Sequence, residues 1–333
     1  MSIKQQIIEY AKSISIDIIG FSDIDFSSQF YKALIERKKN GHLSGFEESD
    51  ENRRCDVTAL LNNARTLISI ALPYRTCDAD KTRPYFSKSS FGMDYHIVMK
   101  EKLKNLSDFI TLKYNSKCVY FSDTGPLSDR EIAKKCGIGF YGKNTSIITD
   151  AYGSFVFLGE IITDLFIERD VESESRCGNC TRCIDACPAG AIEKPYYINA
   201  KKCLSYLTQK KDNLTSKETD NMGLRIYGCD TCQDVCPYNS GVRQTDLKCF
   251  VPQSWVLNVD VENILNMSNS KFKKTFRLTS SGWRGLKILK RNLIIAMGNS
   301  MDKDYIPYLE KIIDDDKLGI FAKHALKKIM SKN

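Results

Sequence analysis

No apolar run in this chain approaches the length of a membrane span; the longest, such as Leu67–Leu72 and Leu293–Met297, stop far short of it. The N-terminus has no basic stretch leading into an apolar one, and the paired Arg53–Arg54 lies too deep for a twin-arginine signal. A soluble, cytoplasmic protein is expected. Low-complexity tracts are absent too, and a chain that is 10% aromatic and 27% charged is not intrinsically disordered. Its 333 residues suffice for two or three domains with a sizeable core. Acidic residues are missing from one stretch, Lys271–Arg291, which holds eight basic side chains and no acid. The chain up to residue 240 is charge-neutral, so the whole net charge of +8 belongs to the last 93 residues.

What is abundant is cysteine. There are 13, an odd number, and a reducing compartment disfavours a disulfide framework. Eight of them fall between Cys177 and Cys236. Cys177, Cys180, Cys183 and Cys187 form C-x2-C-x2-C-x3-C followed by Pro188, the bacterial ferredoxin spacing. Three thiolates two residues apart wrap one face of a cubane, and the fourth, before proline, turns toward a second cluster. A second copy, Cys229, Cys232 and Cys236 followed by Pro237, is one ligand short, and Cys203 is the natural donor for that place. By the ferredoxin crossover, Cys177, Cys180, Cys183 and Cys236 hold one [4Fe–4S] cluster, and Cys187, Cys203, Cys229 and Cys232 the other. A zinc ribbon needs only four thiolates and would leave the third cysteine of the triplet and both Cys-Pro pairs unused. Cys55, Cys77, Cys118, Cys136 and Cys249 have no ligand spacing and read as inert thiols.

Hydrophobic periodicity predicts an α+β or α/β multidomain architecture. Residues 1–170 alternate helical patterns (Ile3–Ile14, Gln29–Lys39, Tyr95–Leu112, Ser128–Cys136) with strand patterns (Ile16–Phe21, Thr66–Leu72, Lys117–Phe121, Thr145–Thr149, Ser154–Asp164), suggesting a layered domain on a mixed sheet. Residues 171–245 have little apolar periodicity and need something besides a large core to hold them. Residues 246–333 are helical, with Lys287–Met297, Tyr305–Ile313 and Leu318–Met330 spaced like a fragment of a helical repeat. Two clusters form an electron relay, and the long segment ahead of them argues for a catalytic partner that receives the electrons.

The flanking segments resemble the epoxyqueuosine reductase family, cobalamin-dependent enzymes of the last step of queuosine synthesis in tRNA. The resemblance rests on Ser122-Asp-Thr-Gly-Pro-Leu-Ser-Asp-Arg130, Gly137-Ile-Gly-Phe-Tyr-Gly-Lys-Asn144 and Gly153-Ser-Phe-Val-Phe-Leu-Gly-Glu160, with Leu43–Glu47, Gly92-Met-Asp-Tyr-His96, Tyr227–Cys232 and Arg284–Asn292. It covers nearly the whole chain. It implies a nitroreductase-like domain holding base-off cobalamin, a ferredoxin-like double-cluster domain, and a short HEAT-like helical domain that grips tRNA. It also implies that electrons from an external donor pass through two [4Fe–4S] clusters to cobalamin, and that epoxyqueuosine at the wobble position is reduced to queuosine. Asp123 sits at the family's proton-donor position. An acid there lowers the cost of opening an epoxide, and burial against the corrin is expected to raise its pKa; Asp-Thr-Gly-Pro is equally good turn chemistry. By the same resemblance Arg54, Ser87, Ile147, Leu158, Ser205 and Asp230 line the cobalamin, Ser87 standing where some relatives carry cysteine. Gln209, Lys210 and Lys211, and Arg284, Lys287, Lys290 and Arg291 in the basic stretch, are expected against RNA, where phosphate contacts make binding salt-sensitive. Asn40-Gly-His-Leu-Ser-Gly45 nearly matches a cobalamin-ligating histidine motif, but asparagine replaces its aspartate, so His42 is not assigned as a ligand. A monomer without membrane attachment is expected. Small-molecule reductive dehalogenation, which needs no basic helical tail, and electron transfer without catalysis, which predicts no cobalamin binding and leaves Asp123 without a role, are the rival readings.

Overall fold

The computed structural model describes residues 1–331. Helix α1 (Ile3–Ser13) starts at a capping box, with the Ser2 side chain on the Gln5 amide and the Gln5 side chain returning to Ser2, and it buries Ile7 and Ala11. Strand β1 (Ile18–Ser22) and helix α2 (Ser28–Lys39, capped by Ser27) follow. Strand β2 (Thr66–Pro73) is buried at all eight positions, as a strand covered on both faces must be. After β3 (Tyr85–Phe86) comes α3 (Tyr95–Tyr114), capped by Asp94 and ended by Asn115 in the left-handed conformation. Then come β4 (Cys118–Phe121), α4 (Asp129–Lys135), the short β5 (Phe140–Tyr141) and β6 (Ile147–Ile148), and β7 (Val156–Thr163).

The main sheet runs β1-β2-β7-β4, and each of its neighbouring pairs is antiparallel. This corrects the mixed sheet expected from the sequence. The connections between strands are long enough to return in either direction, so chain order alone does not set strand polarity. One face packs on α1 and α3 through Ile70, Leu72, Met99, Leu103 and Ile161; the other packs on α4 through Leu67, Ile132, Ala133 and Ile162.

The cysteine-rich part has only small elements: α5 (Arg182–Asp185), β8 (Ile192–Lys194), β9 (Tyr197–Ile198), α6 (Leu204–Leu207), α7 (Ser216–Met222), β10 (Arg225–Tyr227) and α8 (Thr231–Asp234). It is fastened to the first part by a parallel pairing of β10 with β3. The tail has helices α9 (Ser254–Leu257), α10 (Val261–Leu265), α11 (Asn269–Phe276), α12 (Leu286–Ser300), α13 (Ile306–Glu310) and α14 (Gly319–Met330). The periodicity did not resolve α9 to α11 individually; Asp260 and Ser268 cap α10 and α11. One core cluster draws on all three parts, joining Phe86 and Phe91 to Ile226 and Tyr227 and to Phe276, Leu289 and Leu293. Among the described residues no helix is long and apolar enough to cross a membrane.

Candidate active site and metal centres

The eight clustered cysteines are all free thiols. They sit at loop-to-helix junctions: Cys177 and Cys180 lead into α5, Cys203 precedes α6, and Cys229 and Cys232 flank and enter α8. The fold gathers them into two sets. The electrostatic neighbours of Cys183 are Cys177, Cys236 and Cys180, and these four line one small cavity with Lys143, Asn144 and Tyr238. Cys203 and Cys232 instead have Cys229 and Cys187 as their close partners. Burial pushes the Cys203 thiol up to about 11 and raises the Cys232 thiol as well, so coordination to a metal favours their thiolate forms. The Ala191 amide donates to Cys187 Sγ at 3.2 Å. The buried Lys143 ammonium donates to the carbonyls of Gly178 (2.6 Å) and Cys180 (2.9 Å), bracing the first loop. Among the described residues no three His, Cys, Asp or Glu side chains converge as ligands of a single ion do. Thiolates around a cubane stand further apart than that, each on its own iron. Of the remaining cysteines, Cys136 is buried and pushed up to about 12, as an inert core thiol should be.

Asp123 follows β4 in a left-handed conformation (φ +60°). Three hydrogen bonds hold its loop. Ser122 Oγ donates to the Leu158 carbonyl (3.0 Å), the Asp123 amide donates to Asp129 Oδ2 (2.9 Å), and Tyr95 Oη donates to Asp123 Oδ2 (2.6 Å). His96 Nε2 lies 3.6 Å from the same oxygen, while its Nδ1 is 2.8 Å from Asp94 Oδ1. Tyr95 is fixed by stacking on Phe157 (4.3 Å between centroids, 10°). The Asp123 side chain remains 65% accessible although protein surrounds it on most sides, which is the signature of an open cleft.

The charges in this cleft are set by the partners of Asp123. The His96 contact, against the opposing effect of burial, holds the Asp123 carboxyl below the ordinary carboxylate range. Asp123 and Asp94 raise His96 to about 9. Two donors, Tyr95 and His96, face the carboxylate and favour its charged form, and the upward shift expected on burial against a corrin concerns the cofactor-bound protein. Tyr95 and His96 lie within a motif of the resemblance that implies no role for either. Asp94 as helix cap was the available signal, because a cap fixes which side chains the first turn of α3 presents.

The residues expected around a cofactor are spread over several elements. Ile147 is buried and Leu158 half-buried in the core beneath α4. Arg54 is buried near Arg37, Arg130 and Glu47, and the Nε atoms of both Arg54 and Arg37 have no hydrogen-bond partner. Ser87 and Asp230 belong to the β3–β10 junction, where the Lys88 amide donates to Asp230 Oδ2 at 2.8 Å. Burial raises Asp230 to about 6, with that amide and the Lys88 charge opposing. The Ser205 carbonyl accepts from Thr208 Oγ1 and Gln209 Nε2.

The basic stretch divides by burial. Lys271, Lys273, Lys274, Arg277 and Lys287 are exposed, as is Lys211; Lys210 pairs with Glu218 (3.1 Å), and Lys290 donates to the Met267 carbonyl (3.1 Å). Arg284 lies over the Trp283 ring (3.8 Å) and the Phe46 ring (4.5 Å), beside Tyr206. Trp283 Nε1 donates to Gln209 Oε1 (2.9 Å), and Trp283 and Phe46 remain 53% and 46% exposed. This aromatic group was not anticipated, because Phe46 and Trp283 are far apart in sequence. Arg291 is corrected. It is 4% exposed, and its guanidinium donates to the Lys210 and Leu207 carbonyls and to Asn292 Oδ1, so it cannot meet a phosphate. Arg291→Ala should destabilise the protein by about 3 kcal/mol, since it strands buried acceptors. A denaturation midpoint would show this, and the salt dependence of RNA binding should not change.

A cavity of about 340 Å³ lies elsewhere, lined by Leu214, Ile295, Phe321, His324 and Lys328 among others. None of the residues discussed above lines it.

Comparison with known proteins finds two family matches: a "4Fe-4S double cluster binding domain" over residues 176–239 and "Epoxyqueuosine reductase QueG, DUF1730" over residues 54–124. An epoxyqueuosine reductase of Bacillus subtilis (strain 168) is 41% identical over 94% of this chain and 83% of its own. A crystal structure of epoxyqueuosine reductase with an epoxyqueuosine-modified tRNA-Tyr stem loop superposes with a TM-score of 0.92 at 40% identity, over 98% of this chain and 90% of that one. A Bacillus subtilis epoxyqueuosine reductase structure whose aspartate-bearing catalytic loop is swung out of the active site also has a TM-score of 0.92, at 39% identity over the same shares.

Proposed function

This chain belongs to the epoxyqueuosine reductase family, and we infer that it reduces epoxyqueuosine to queuosine in tRNA, with Asp123 delivering the proton to the epoxide oxygen. The observation that carries this reading is the Asp123 carboxylate, open to the cleft yet gripped by Tyr95 and His96.

The donor sets fit the groups such an enzyme needs. Eight free thiols in two foursomes, several too buried to ionise alone, suit two [4Fe–4S] clusters. The partnerless Arg54 Nε, the apolar Ile147 and Leu158 and the open wall at Asp123 suit a large cofactor with amide and corrin surfaces, and base-off cobalamin is the reading we adopt. When bound, the clusters would carry single electrons inward and cobalamin would supply a reduced cobalt centre to the epoxide carbon. Arg54, Ser87, Ser205 and Asp230 would hold it, with Ile147 and Leu158 acting by packing and backbone.

Exchanging an epoxide for an alkene releases the oxygen as water and consumes two protons with two electrons. Asp123 is placed to pass the first proton to the epoxide oxygen, drawing it from His96, which is raised to about 9; excluding water from this pair on substrate binding favours its neutral form and so moves the proton onto Asp123. Tyr95 keeps its own proton, because burial and the adjacent carboxylate raise it far above the ordinary tyrosine value, so it serves as a fixed donor that aims the carboxylate.

RNA would lie across the tail and the cleft mouth. The exposed lysines of α11, with Lys211 and Lys287, would take phosphates, and the Trp283–Arg284–Phe46 group offers a flat face on which an unstacked base can rest. Trp283→Ala should weaken tRNA binding by about 1–3 kcal/mol, roughly 5- to 150-fold, without altering its salt slope. Titrations at two salt concentrations would show both effects. On this reading the nitroreductase-like, ferredoxin-like and HEAT-like domains span residues 1–170, 171–245 and 246–333, and the enzyme acts as a monomer fed by an external electron donor in the cytoplasm. The deciding experiment is anaerobic reconstitution with iron, sulfide and cobalamin, followed by an assay on epoxyqueuosine-tRNA. A reconstituted protein that leaves the epoxide intact would overturn the reading.

A further inference from the structure

Glu160 lies in the middle of β7 with no accessible surface, and no donor reaches either of its carboxyl oxygens. A buried carboxylate without donors or a cation is costly enough that such a group keeps its proton. Across the ladder Glu160 faces Ser69 of β2 and Phe121 of β4; the Ser69 hydroxyl is equally buried and has no partner either. From α4, the element packed on this face, the group that meets Glu160 is the carboxyl of Asp129, with Asp123 just beyond it. Burial and Asp123 raise Asp129 to about 6, and Arg130, the cation beside it, opposes this. Two carboxyls attract each other only when they share a proton. The arrangement is therefore informative: an acid that cannot ionise stands behind an acid that has work to do.

That work is visible. Asp129 Oδ2 accepts the amide of Asp123, whose left-handed backbone (φ +60°) is a conformation an L residue adopts at a cost. Of the three bonds that hold this loop, it is the one that grips the backbone of Asp123 itself. We propose that Glu160 and Asp129 form a latch: a single proton held between the two carboxyls orients Asp129 to grip the Asp123 amide and keep the Asp123 side chain turned into the cleft. The proposal deepens the functional reading above, since it rests on Asp123 being the proton donor. Glu160 is a positioning residue in it and delivers no proton to substrate.

Two variants separate the latch from its rivals. Glu160→Gln keeps a donor for Asp129 but cannot ionise; Glu160→Leu removes the donor while filling the space, a replacement that buried acids commonly tolerate. Amide hydrogen exchange on the cofactor-free protein, corrected for intrinsic rates, should show protection at the Asp123 amide in wild type and in Glu160→Gln. In Glu160→Leu that protection should fall by about 10- to 100-fold, the worth of one hydrogen bond to a charged group. Infrared spectra at neutral pH should show the carbonyl stretch of a protonated carboxylic acid in wild type and not in Glu160→Gln. Turnover of the reconstituted enzyme on epoxyqueuosine-tRNA should follow protection, retained in Glu160→Gln and lost in Glu160→Leu. The latch is overturned if the infrared band is missing, if protection is the same in all three proteins, or if Glu160→Gln loses turnover as fully as Glu160→Leu, which would mean that the Glu160 proton is consumed. Exchange and infrared readouts do not involve the reaction, so a wild-type enzyme inactive on this tRNA would sink the functional reading and leave the latch standing.

Discussion

Asp123→Asn should lower turnover on epoxyqueuosine-containing tRNA by about 10²- to 10⁴-fold, the range that a positioned general acid supplies. Asparagine keeps the shape and the contact with Tyr95 Oη, so the loop stays in place, but it has no proton to give. Iron content, cobalamin binding and tRNA affinity should remain at the wild-type level. Single-turnover assays with enzyme in excess separate the chemical step from tRNA release. The wild-type rate should also decline as pH rises through about 9, where the His96 imidazolium beside Asp123 loses its proton. The sign follows from the raised pKa: the charged form prevails at lower pH and is lost above that value. A variant that kept most of the wild-type rate would remove Asp123 from the chemistry and return Asp-Thr-Gly-Pro to the role of a turn.

The second large effect concerns electron supply. Cys203→Ser should cost one of the two clusters, reducing bound iron and cluster absorbance by about half. Turnover should be lost even though the other foursome, Cys177, Cys180, Cys183 and Cys236, is untouched. Cys203 is the informative choice because no C-x2-C spacing marks it; the fold places it, at the start of α6, beside Cys187, Cys229 and Cys232. Cys77→Ser is the matching control, since Cys77 packs against the core shared by all three parts and should leave iron content unchanged. If Cys203→Ser held a full complement of iron, the assignment of the eighth thiolate would fail.

The sequence by itself determined the features that are local in the chain. Cysteine spacing is set by the reach of a few residues, so the two ferredoxin-like runs were legible without a fold. The helices at 3–13, 95–114 and 286–300 announced themselves through apolar periodicity, and the basic tail through composition. The turn at Asp123 was legible as a motif, because Asp and Gly tolerate the backbone such a turn needs.

Tertiary structure alone decided what depends on who meets whom across long separations. Strand polarity in the main sheet was one such matter. Another was that Arg291, one basic residue among eight, is spent on the carbonyls of residues 81 and 84 positions away, while Trp283 and Phe46 stay open to solvent. The charge state of Asp123 was a third: the sequence could name the acid but not its partners, and a carboxyl's proton affinity is set by the donors, charges and water around it. The same holds for Glu160, which in sequence is one polar residue inside an apolar strand pattern and in the fold is a buried acid behind the residue that positions Asp123.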